Sequence, residues 1–302
     1  MKRLSIHILF VIASFCVFGQ QDEQMSLYMY NPLYFNPAYA GSRDAVSFVA
    51  LGRFQWVNFK GAPTSQWLSI HSPISNQRLG IGAHFINDRI GERKRTSAYA
   101  DISSGITLNK NLDKLSAGLS IGFDAMGYDF SSSQVIDQTD PYYGKVLSVT
   151  KPNLGAGIYY SGKKHYLGVS VPRLFQNKTQ VNEIVESITT KHFFIAGGYV
   201  FDLNSVLKLK PSMLIKFTPN APITLDVNAS VLMYEKLWTG IMYRYNEALG
   251  VNIVYTVKNF QVGYVFDFPI NGLRTYQYGS HEILLQYDLQ PKHSSYHSPR
   301  YF

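Results

Sequence analysis

The chain has 302 residues and a formal net charge of +8, with 22 Tyr, 19 Phe, 23 Gly and a single Cys. Aromatic residues favour strands and glycine weakens helices, so this composition predicts an all-β protein. The basic residues are scattered and lack the clustered stripe that nucleic-acid binding requires. One cysteine, Cys16, excludes an internal disulfide.

Residues 1–19 form the first predicted element, a signal peptide for export. Two basic residues precede an apolar run over residues 6–18, and Val17 and Gly19 are small enough for the site that signal peptidase cuts. The run is too short to be a transmembrane helix. The mature chain is therefore predicted to start at Gln20, without cysteine, and its net charge falls from +8 to +6 because the signal carries two positive charges.

The stretch over residues 30–42 contains one short unit twice, an aromatic residue followed by Asn-Pro-x-Tyr. Each proline biases the preceding Asn towards extended geometry, where the Asn side chain can accept a hydrogen bond from the backbone two residues on. The prolines argue against a helix and against a central strand. The segment is interpreted either as a packed lead-in to the barrel or as a plug or recognition segment. Its candidate partner-binding residues are Tyr30, Asn31, Pro32, Tyr34, Asn36, Pro37 and Tyr39.

From residue 45 onward the apolar pattern has a period of two, which indicates strands. In one run, for example, Leu119 and Ile121 alternate with Ser120 and Gly122. About fourteen such runs are predicted, an even number within the range of outer-membrane barrels. Their approximate spans are 45–58, 64–72, 79–88, 94–109, 114–127, 147–161, 164–173, 191–202, 206–217, 223–233, 236–246, 248–257, 259–267 and 279–289.

The connections between the predicted strands alternate in length. Those after even-numbered strands are short, and most of the others are longer, which is typical of a barrel with its short turns in the periplasm. The fold class predicted is a single antiparallel transmembrane β-barrel over residues 45–290. Residues 20–44 are a periplasmic or lumenal extension and residues 291–302 a periplasmic tail. An even strand count puts both ends of the chain on the periplasmic side.

A soluble β-sandwich is the competing fold. Its outer faces would be polar, whereas here one apolar face persists on strand after strand and carries aromatics near the strand ends, such as Phe54 and Phe266. The opposite face is small and polar and predicts a hydrated or salt-bridged lumen, either open or plugged. A bulge or another irregularity of the ladder is expected at Pro211, which cannot donate to it. The predicted lumen residues are Arg53, Asp124, Lys208, Lys210, Asp226 and Arg244.

No catalytic constellation, cofactor motif or metal site is predicted. His71 and His84 lie on inward positions, but without a third ligand at defined spacing they are interpreted as hydrogen-bonded lumen histidines. Glycine pairs such as Gly80 and Gly82 are interpreted as strand glycines, because no helix follows them as in a phosphate loop. The basic loop cluster Arg89, Arg93, Lys94 and Arg95 is interpreted as solvated surface, with a surface that meets lipopolysaccharide phosphates as the alternative.

Five motifs stand out along the chain: Gln24-x-x-x-Tyr28-Met29 followed by residues 30–42, Arg53-Phe54-Gln55-Trp56-Val57, Gly61-Ala62-Pro63-Thr64, Asn87-Asp88-x-Ile90-Gly91 and Ser298-Pro299-Arg300-Tyr301-Phe302. With these motifs the chain resembles the PorP/SprF family of outer-membrane proteins, which serve type IX secretion and gliding motility. The likeness covers the whole mature chain and is most specific at its start.

This resemblance implies a non-enzymatic accessory in the outer membrane. It would aid the export or surface retention of a large adhesin-like client with a type IX C-terminal targeting domain. The partners implied are that client, periplasmic machinery components and outer-membrane lipid. The resemblance also favours a functional role for the Asn-Pro segment over mere packing. The alternative from a different class is an outer-membrane solute channel.

Overall fold

The computed structural model describes residues 23–74, 78–110, 112–130, 146–181, 184–187, 190–219, 221–289 and 301–302. The predicted signal peptide and most of the predicted C-terminal tail lie outside these ranges. Within them, no helix is both long and apolar enough to cross a membrane.

Strands that alternate between apolar and small or polar residues close into one antiparallel barrel of fourteen strands. The barrel strands are β1 (Val46–Phe54), β2 (Thr64–Ile74), β3 (Leu79–Ile90), β4 (Arg93–Thr107), β5 (Lys114–Asp129), β6 (Val146–Ser161), β7 (His165–Val171), β8 (Phe193–Tyr199, continued by Phe201–Asp202), β9 (Leu207–Phe217), β10 (Thr224–Met233), β11 (Leu237–Arg244), β12 (Ala248–Val257), β13 (Phe260–Pro269) and β14 (Ser280–Leu289).

The barrel closes through one pair of strands that are distant in the sequence. β1 pairs with β14, with Leu51 opposite Leu284, and β8 pairs with both β7 and β9. Every other pair joins strands that are consecutive in the chain. Closure removes the exposed edges that an open sheet would present. The predicted strand number and order are confirmed.

Single-turn 3-10 helices and one short hairpin complete the described elements. The hairpin pairs Lys178–Val181 with Ile184–Ser187 in the loop between β7 and β8. The 3-10 turns are Tyr28–Tyr30, Pro32–Tyr34, Pro37–Tyr39 and Gly272–Thr275.

The two faces of each strand follow the alternation in the sequence. In β5, Leu119 is 61% exposed on the outside, whereas the side chain of its neighbour Ser120 points inward and the residue is 4% exposed. The barrel therefore has apolar residues on its outer face and small or polar residues on its inner face. This arrangement is the reverse of that in a soluble protein, and it suits contact with the hydrocarbon of a bilayer.

The barrel has a short-turn end and a long-loop end. The connections after even-numbered strands span residues 75–78, 108–113, 162–164, 203–206, 234–236 and 258–259 and define the short-turn end. The connections after odd-numbered strands span residues 55–63, 91–92, 130–145, 172–192, 218–223, 245–247 and 270–279 and define the long-loop end. The predicted alternation is confirmed, with two short turns among the long loops.

The irregularity expected at Pro211 is present, as a gap in a neighbouring strand rather than as a bulge in the pairing with β10. The register with β10 runs unshifted through the Pro211–Ala229 pair. The irregularity lies on the other neighbour, where β8 is interrupted at Val200. The Val200 amide donates to the Lys164 carbonyl on the β7 side (2.7 Å). A gap in one ladder thus accommodates the missing proline donor.

Protease accessibility should report the orientation of the barrel. A cleavable tag inserted after Lys178, in the long-loop hairpin, should be cut on intact cells, because long loops face the cell exterior. A tag after Asn204, in a short turn, should be protected until the outer membrane is opened. Protection of the first tag and cleavage of the second would show that the barrel has the opposite orientation.

An arginine scan should locate the lipid-facing band. Leu119→Arg places a charge at the middle of β5 and should lower the free energy of unfolding by about 2–4 kcal/mol, because the cost is greatest at the bilayer midplane. Leu108→Arg is the matched control, since Leu108 is also exposed (51%) but lies in a turn at the short-turn end. There the cost should be about 0–1 kcal/mol. Equal losses, measured by guanidinium unfolding of the heat-modifiable band, would contradict the band's position.

Candidate functional site: a plug inside the barrel

The stretch over residues 23–42, called the plug below, crosses the lumen from end to end. At the long-loop end the Gln24 side-chain amide donates to the Glu247 carboxylate (3.0 Å). Towards the short-turn end the Gly41 amide donates to His71 Nδ1 (3.2 Å), and the Ser103 hydroxyl donates to the Ala40 carbonyl (2.6 Å). The chain therefore runs down the barrel interior before β1 begins at the short-turn end.

The predicted start of the mature chain, Gln20, lies outside the described residues, so the expectation that both chain ends face the periplasm stays a prediction. An even strand count fixes where β1 begins and β14 ends, but it leaves open where the segment ahead of β1 starts. Because that segment crosses the lumen, Glu23 lies at the long-loop end, next to Arg95 and Arg173. Of the two predicted placements, periplasmic or lumenal, the described part of the extension has the lumenal one.

Prolines start two of the three 3-10 turns of the plug. Pro32 and Pro37 each occupy the first turn position, where a missing N–H costs no hydrogen bond. The expectation of a wholly non-helical segment is therefore wrong. The Asn36 side chain accepts from the Ala38 amide (3.0 Å), as predicted. Asn31 instead accepts from the Ser69 hydroxyl on β2 (2.7 Å), so the local turn predicted there is replaced by a contact with the wall.

Glycines on the wall let the backbone of the plug approach closely. A Cβ atom on Gly118 would lie 2.3 Å from the Ala38 amide nitrogen, and one on Gly80 would lie 2.1 Å from the Ala40 oxygen. Real Cβ atoms do not come so near. The glycines of these strands are strand glycines, as the sequence indicated. Because they lack a Cβ atom, they also let the backbone of the plug approach the wall closely.

Gly118→Ala should destabilise the protein. The added methyl group meets backbone atoms of the plug, which cannot rotate away, and overpacking of this kind costs about 1–3 kcal/mol. Gly52→Ala on β1 is the matched control, because a Cβ there meets nothing within 4 Å. The check is the guanidinium midpoint of the two variants. Similar midpoints would mean that the plug does not contact β5 as described.

Aromatic rings of the plug form the apolar core of the barrel. Tyr34 meets Trp67 edge to face (centroids 6.0 Å apart), and Phe35 stacks on Phe194 (5.7 Å). Tyr39 stands perpendicular to Tyr159 on β6 (5.4 Å). Ring pairs in these arrangements add about 0.5–1.5 kcal/mol each beyond area burial. The lumen is therefore filled by packed side chains rather than by water at this level.

A buried ion network holds the start of the plug to the wall. The Glu282 carboxylate accepts from the backbone amides of Ser26 and Leu27 (both 2.8 Å) and pairs with Arg53 (3.1 Å). Arg53 also pairs with Asp267 (2.7 Å). All three charged residues are at least nine-tenths buried. Charges are tolerated in such a place only when they are paired and hydrogen-bonded.

Two further ion clusters contact the plug. Arg95 and Arg173 lie between the Glu23 and Asp124 carboxylates, with Arg95 at 3.2 Å from the first and 2.9 Å from the second. At the short-turn end Arg43 pairs with Asp288 (2.8 Å) and donates to the Tyr39 hydroxyl.

Arg43 stays charged despite its position. Burial opposes the charge, but Tyr39 and the Asp288 carboxylate outweigh it and raise the pKa of Arg43 above its ordinary value. The guanidinium therefore fastens the end of the plug to β14 across the whole physiological pH range.

The structure places the seven candidate partner-binding residues inside the plug, where all are buried. They are Tyr30, Asn31, Pro32, Tyr34, Asn36, Pro37 and Tyr39. A second protein could reach them only if the plug left the lumen, so partner binding by these residues stays a prediction.

Five of the six candidate lumen residues are buried and face the interior: Arg53, Asp124, Lys210, Asp226 and Arg244. Arg244 pairs with Asp226 (3.0 Å). Lys208 lies at the short-turn mouth, where it pairs with Asp202 and Glu235 (both 3.1 Å).

Sequence reasoning missed Glu23, Arg43 and Arg173 and misplaced Arg95. Arg95 was assigned to solvated surface, but it is 7% exposed and inward-facing. The alternation along β4, where Ser97, Tyr99 and Asp101 point inward, was the available signal. The histidines are hydrogen-bonded: His84 to Asp101 (2.9 Å) and His71 to the plug. No cluster of metal-ligating side chains occurs among the described residues.

Comparison with known proteins gives distant structural likenesses. Omp33, an outer membrane protein of Acinetobacter baumannii, is 7% identical with a TM-score of 0.47, over 81% of this chain and 98% of that one. A Pseudomonas aeruginosa FadL homologue is 12% identical with a TM-score of 0.46, over 90% and 96%. The KdgM porin is 11% identical with a TM-score of 0.37, over 80% and 98%. No curated protein sequence is significantly similar.

A family model matches far more specifically. It describes a type IX secretion system membrane protein, PorP/SprF, and it covers residues 17–287. That range includes the plug and nearly all of the barrel. The chain therefore belongs to the PorP/SprF family and is an outer-membrane β-barrel protein of the type IX secretion system.

Proposed function

We propose that this protein is a closed, non-enzymatic accessory of the type IX secretion system. It aids the export or surface retention of a large adhesin-like client that carries a type IX C-terminal targeting domain. The observation that carries the proposal is the plug, which occupies the lumen from Glu23 to the start of β1. A barrel filled in this way serves as a platform in the membrane rather than as a passage.

The plug weighs against the alternative, a solute channel. Such a channel needs a continuous aqueous path, as wide barrels provide. Here the residues of the three 3-10 turns of the plug are all buried against the wall. A cavity beside the plug, lined by Gln24, Tyr28, Lys216 and Arg244 among others, has a volume of about 30 Å³. That is room for one or two waters.

In this proposal the partners meet the two ends and the outer belt of the barrel. The long loops offer the surface that an exported client would reach, and the short turns face periplasmic machinery. Lipid contacts the apolar belt. The seven Asn-Pro residues keep the lumen closed, and their contact with a partner would follow only from release of the plug.

The test is affinity isolation of the native protein from outer membranes, followed by identification of the co-purifying chains. A large surface protein with a type IX targeting domain should be recovered. An unrelated outer-membrane barrel of the same cells, isolated in parallel, is the control. Recovery of no such client, together with ion conductance of the purified protein in a planar bilayer, would favour the solute channel instead.

A further inference from the structure

Lys210, on β9, lies in a cage of aromatic rings at the short-turn end of the lumen. Its ammonium nitrogen is 4.3 Å from the centroid of the Trp238 ring, 5.0 Å from that of Tyr30 and 5.9 Å from that of Phe302. It also donates to the backbone carbonyl of Tyr301 (2.9 Å). Trp238 belongs to the wall and Tyr30 to the plug, whereas the other two groups come from the last two residues of the chain.

The cage is incomplete without those two residues. Lys210 is 1% exposed, and no carboxylate of the described residues pairs with it within 4.0 Å. A buried ammonium is costly unless its charge is compensated. Ring faces and one carbonyl supply that compensation here. Removing Tyr301 and Phe302 would take away the sole hydrogen-bond acceptor found for the amine in the described chain.

A second polar group at this site, the Tyr166 hydroxyl, makes no hydrogen bond with the described residues. The Tyr166 ring contacts the Phe302 ring (centroids 4.8 Å apart), and its hydroxyl is buried without a hydrogen-bond partner among the described residues. Buried hydroxyls normally have a partner. The Tyr166 hydroxyl can therefore form a hydrogen bond with a ligand, in addition to the contacts that Tyr301 and Phe302 make at this site.

The site opens to the short-turn end. Tyr301 and Phe302 are partly exposed, although they pack on the apolar core. Lys208 lies 5.6 Å from the Tyr301 ring and is itself paired with Asp202 and Glu235 at the turns of that end. The occupant can thus leave or enter from the periplasmic side without disturbing the ladder.

We propose that Lys210, Trp238 and Tyr166 form a peptide-binding site, and that the chain's own Tyr301-Phe302 occupies it as a displaceable latch. The ligand class is an aromatic peptide: one ring fills the space beside Tyr166, and the carbonyl before it accepts from Lys210. Because Lys210 also contacts Tyr30, the occupied site fastens the plug. This inference does not depend on the identity of the client.

The test uses the full-length protein in detergent with Tyr301 and Phe302 both changed to Ala. These changes remove the rings that hold the tail in the site without shortening the chain, and the variant is called the emptied variant below. The probe is a fluorescein-labelled peptide with the sequence of residues 298–302, followed by fluorescence anisotropy. It should bind this variant saturably. Binding to the natural protein should be at least about tenfold weaker, because the tethered tail competes at a high effective concentration.

Three further comparisons decide the outcome. Adding Lys210→Met to the emptied variant should abolish binding, whereas Lys216→Met, on the same strand at the other end of the lumen, should leave it unchanged. A peptide with Ala in place of the final Phe should bind at least about tenfold more weakly. Heat-modifiable mobility verifies that each variant is folded. Binding that is independent of Lys210, equal binding to the natural protein, or no saturable binding to the emptied folded variant would each overturn the proposal.

Discussion

A variant with residues 28–39 replaced by a Gly-Ser chain of equal length should conduct ions in a planar bilayer, whereas the natural protein should show only baseline current. The replaced residues supply the rings and turns that fill the lumen. Without them, the inward serines, asparagines and charged side chains of the wall would line a water-filled interior. Fourteen strands lie between the eight that side chains can fill and the sixteen or so of open porins. The expected change is from no channel events to stepwise conductance.

The barrel itself should survive that replacement. The ladder pairs barrel strand with barrel strand all the way round, and no residue of the plug takes part in it. The matched control is an equal replacement in the loop hairpin, residues 178–187, which leaves the plug intact. Folding is verified by heat-modifiable mobility. A folded plug variant that remains electrically silent would contradict the view that the plug is what closes the lumen.

The barrel could be predicted from sequence because its signal is local. In β5, the alternation of Leu119 and Ile121 with Ser120 and Gly122 gives the strand, its outward face and its inward face at once. Nearest-neighbour antiparallel pairing then follows from short turns. The alternation does not depend on what fills the interior. The strands and their two faces could therefore be predicted without knowledge of the plug.

The sequence offered the plug only as one of two alternatives, because the partners of the plug are remote in sequence. Ser26 and Leu27 bind Glu282, which is more than 250 residues away. Inward charges of both signs fit a hydrated lumen and a salt-bridged plug equally well, so the pattern left both possibilities open. What would have narrowed the choice is the run of inward glycines, such as Gly80 and Gly118, since an aqueous lumen does not require them.

The largest single-residue effect is expected at Arg53. Arg53→Met leaves the buried carboxylates of Glu282 and Asp267 without their closest cation, and breaking a buried pair from one side costs about 3–5 kcal/mol. Lys94→Met is the matched control, because the Lys94–Asp129 pair has a similar distance (2.8 Å) but is 48% and 28% exposed. Exposed pairs contribute about 0–1 kcal/mol. Guanidinium unfolding of the heat-modifiable band measures both.

A third variant separates loss of the charge partner from loss of packing. Glu282→Gln in the Arg53→Met background removes one unpaired buried charge, while the single amide oxygen can still accept from one of the two plug amides. The double variant should therefore be less destabilised than the sum of its single variants, which is the sign of a direct interaction. Strictly additive losses, or an Arg53→Met loss no larger than that of Lys94→Met, would show that the ion network does not fasten the plug. In that case the aromatic core alone would hold it.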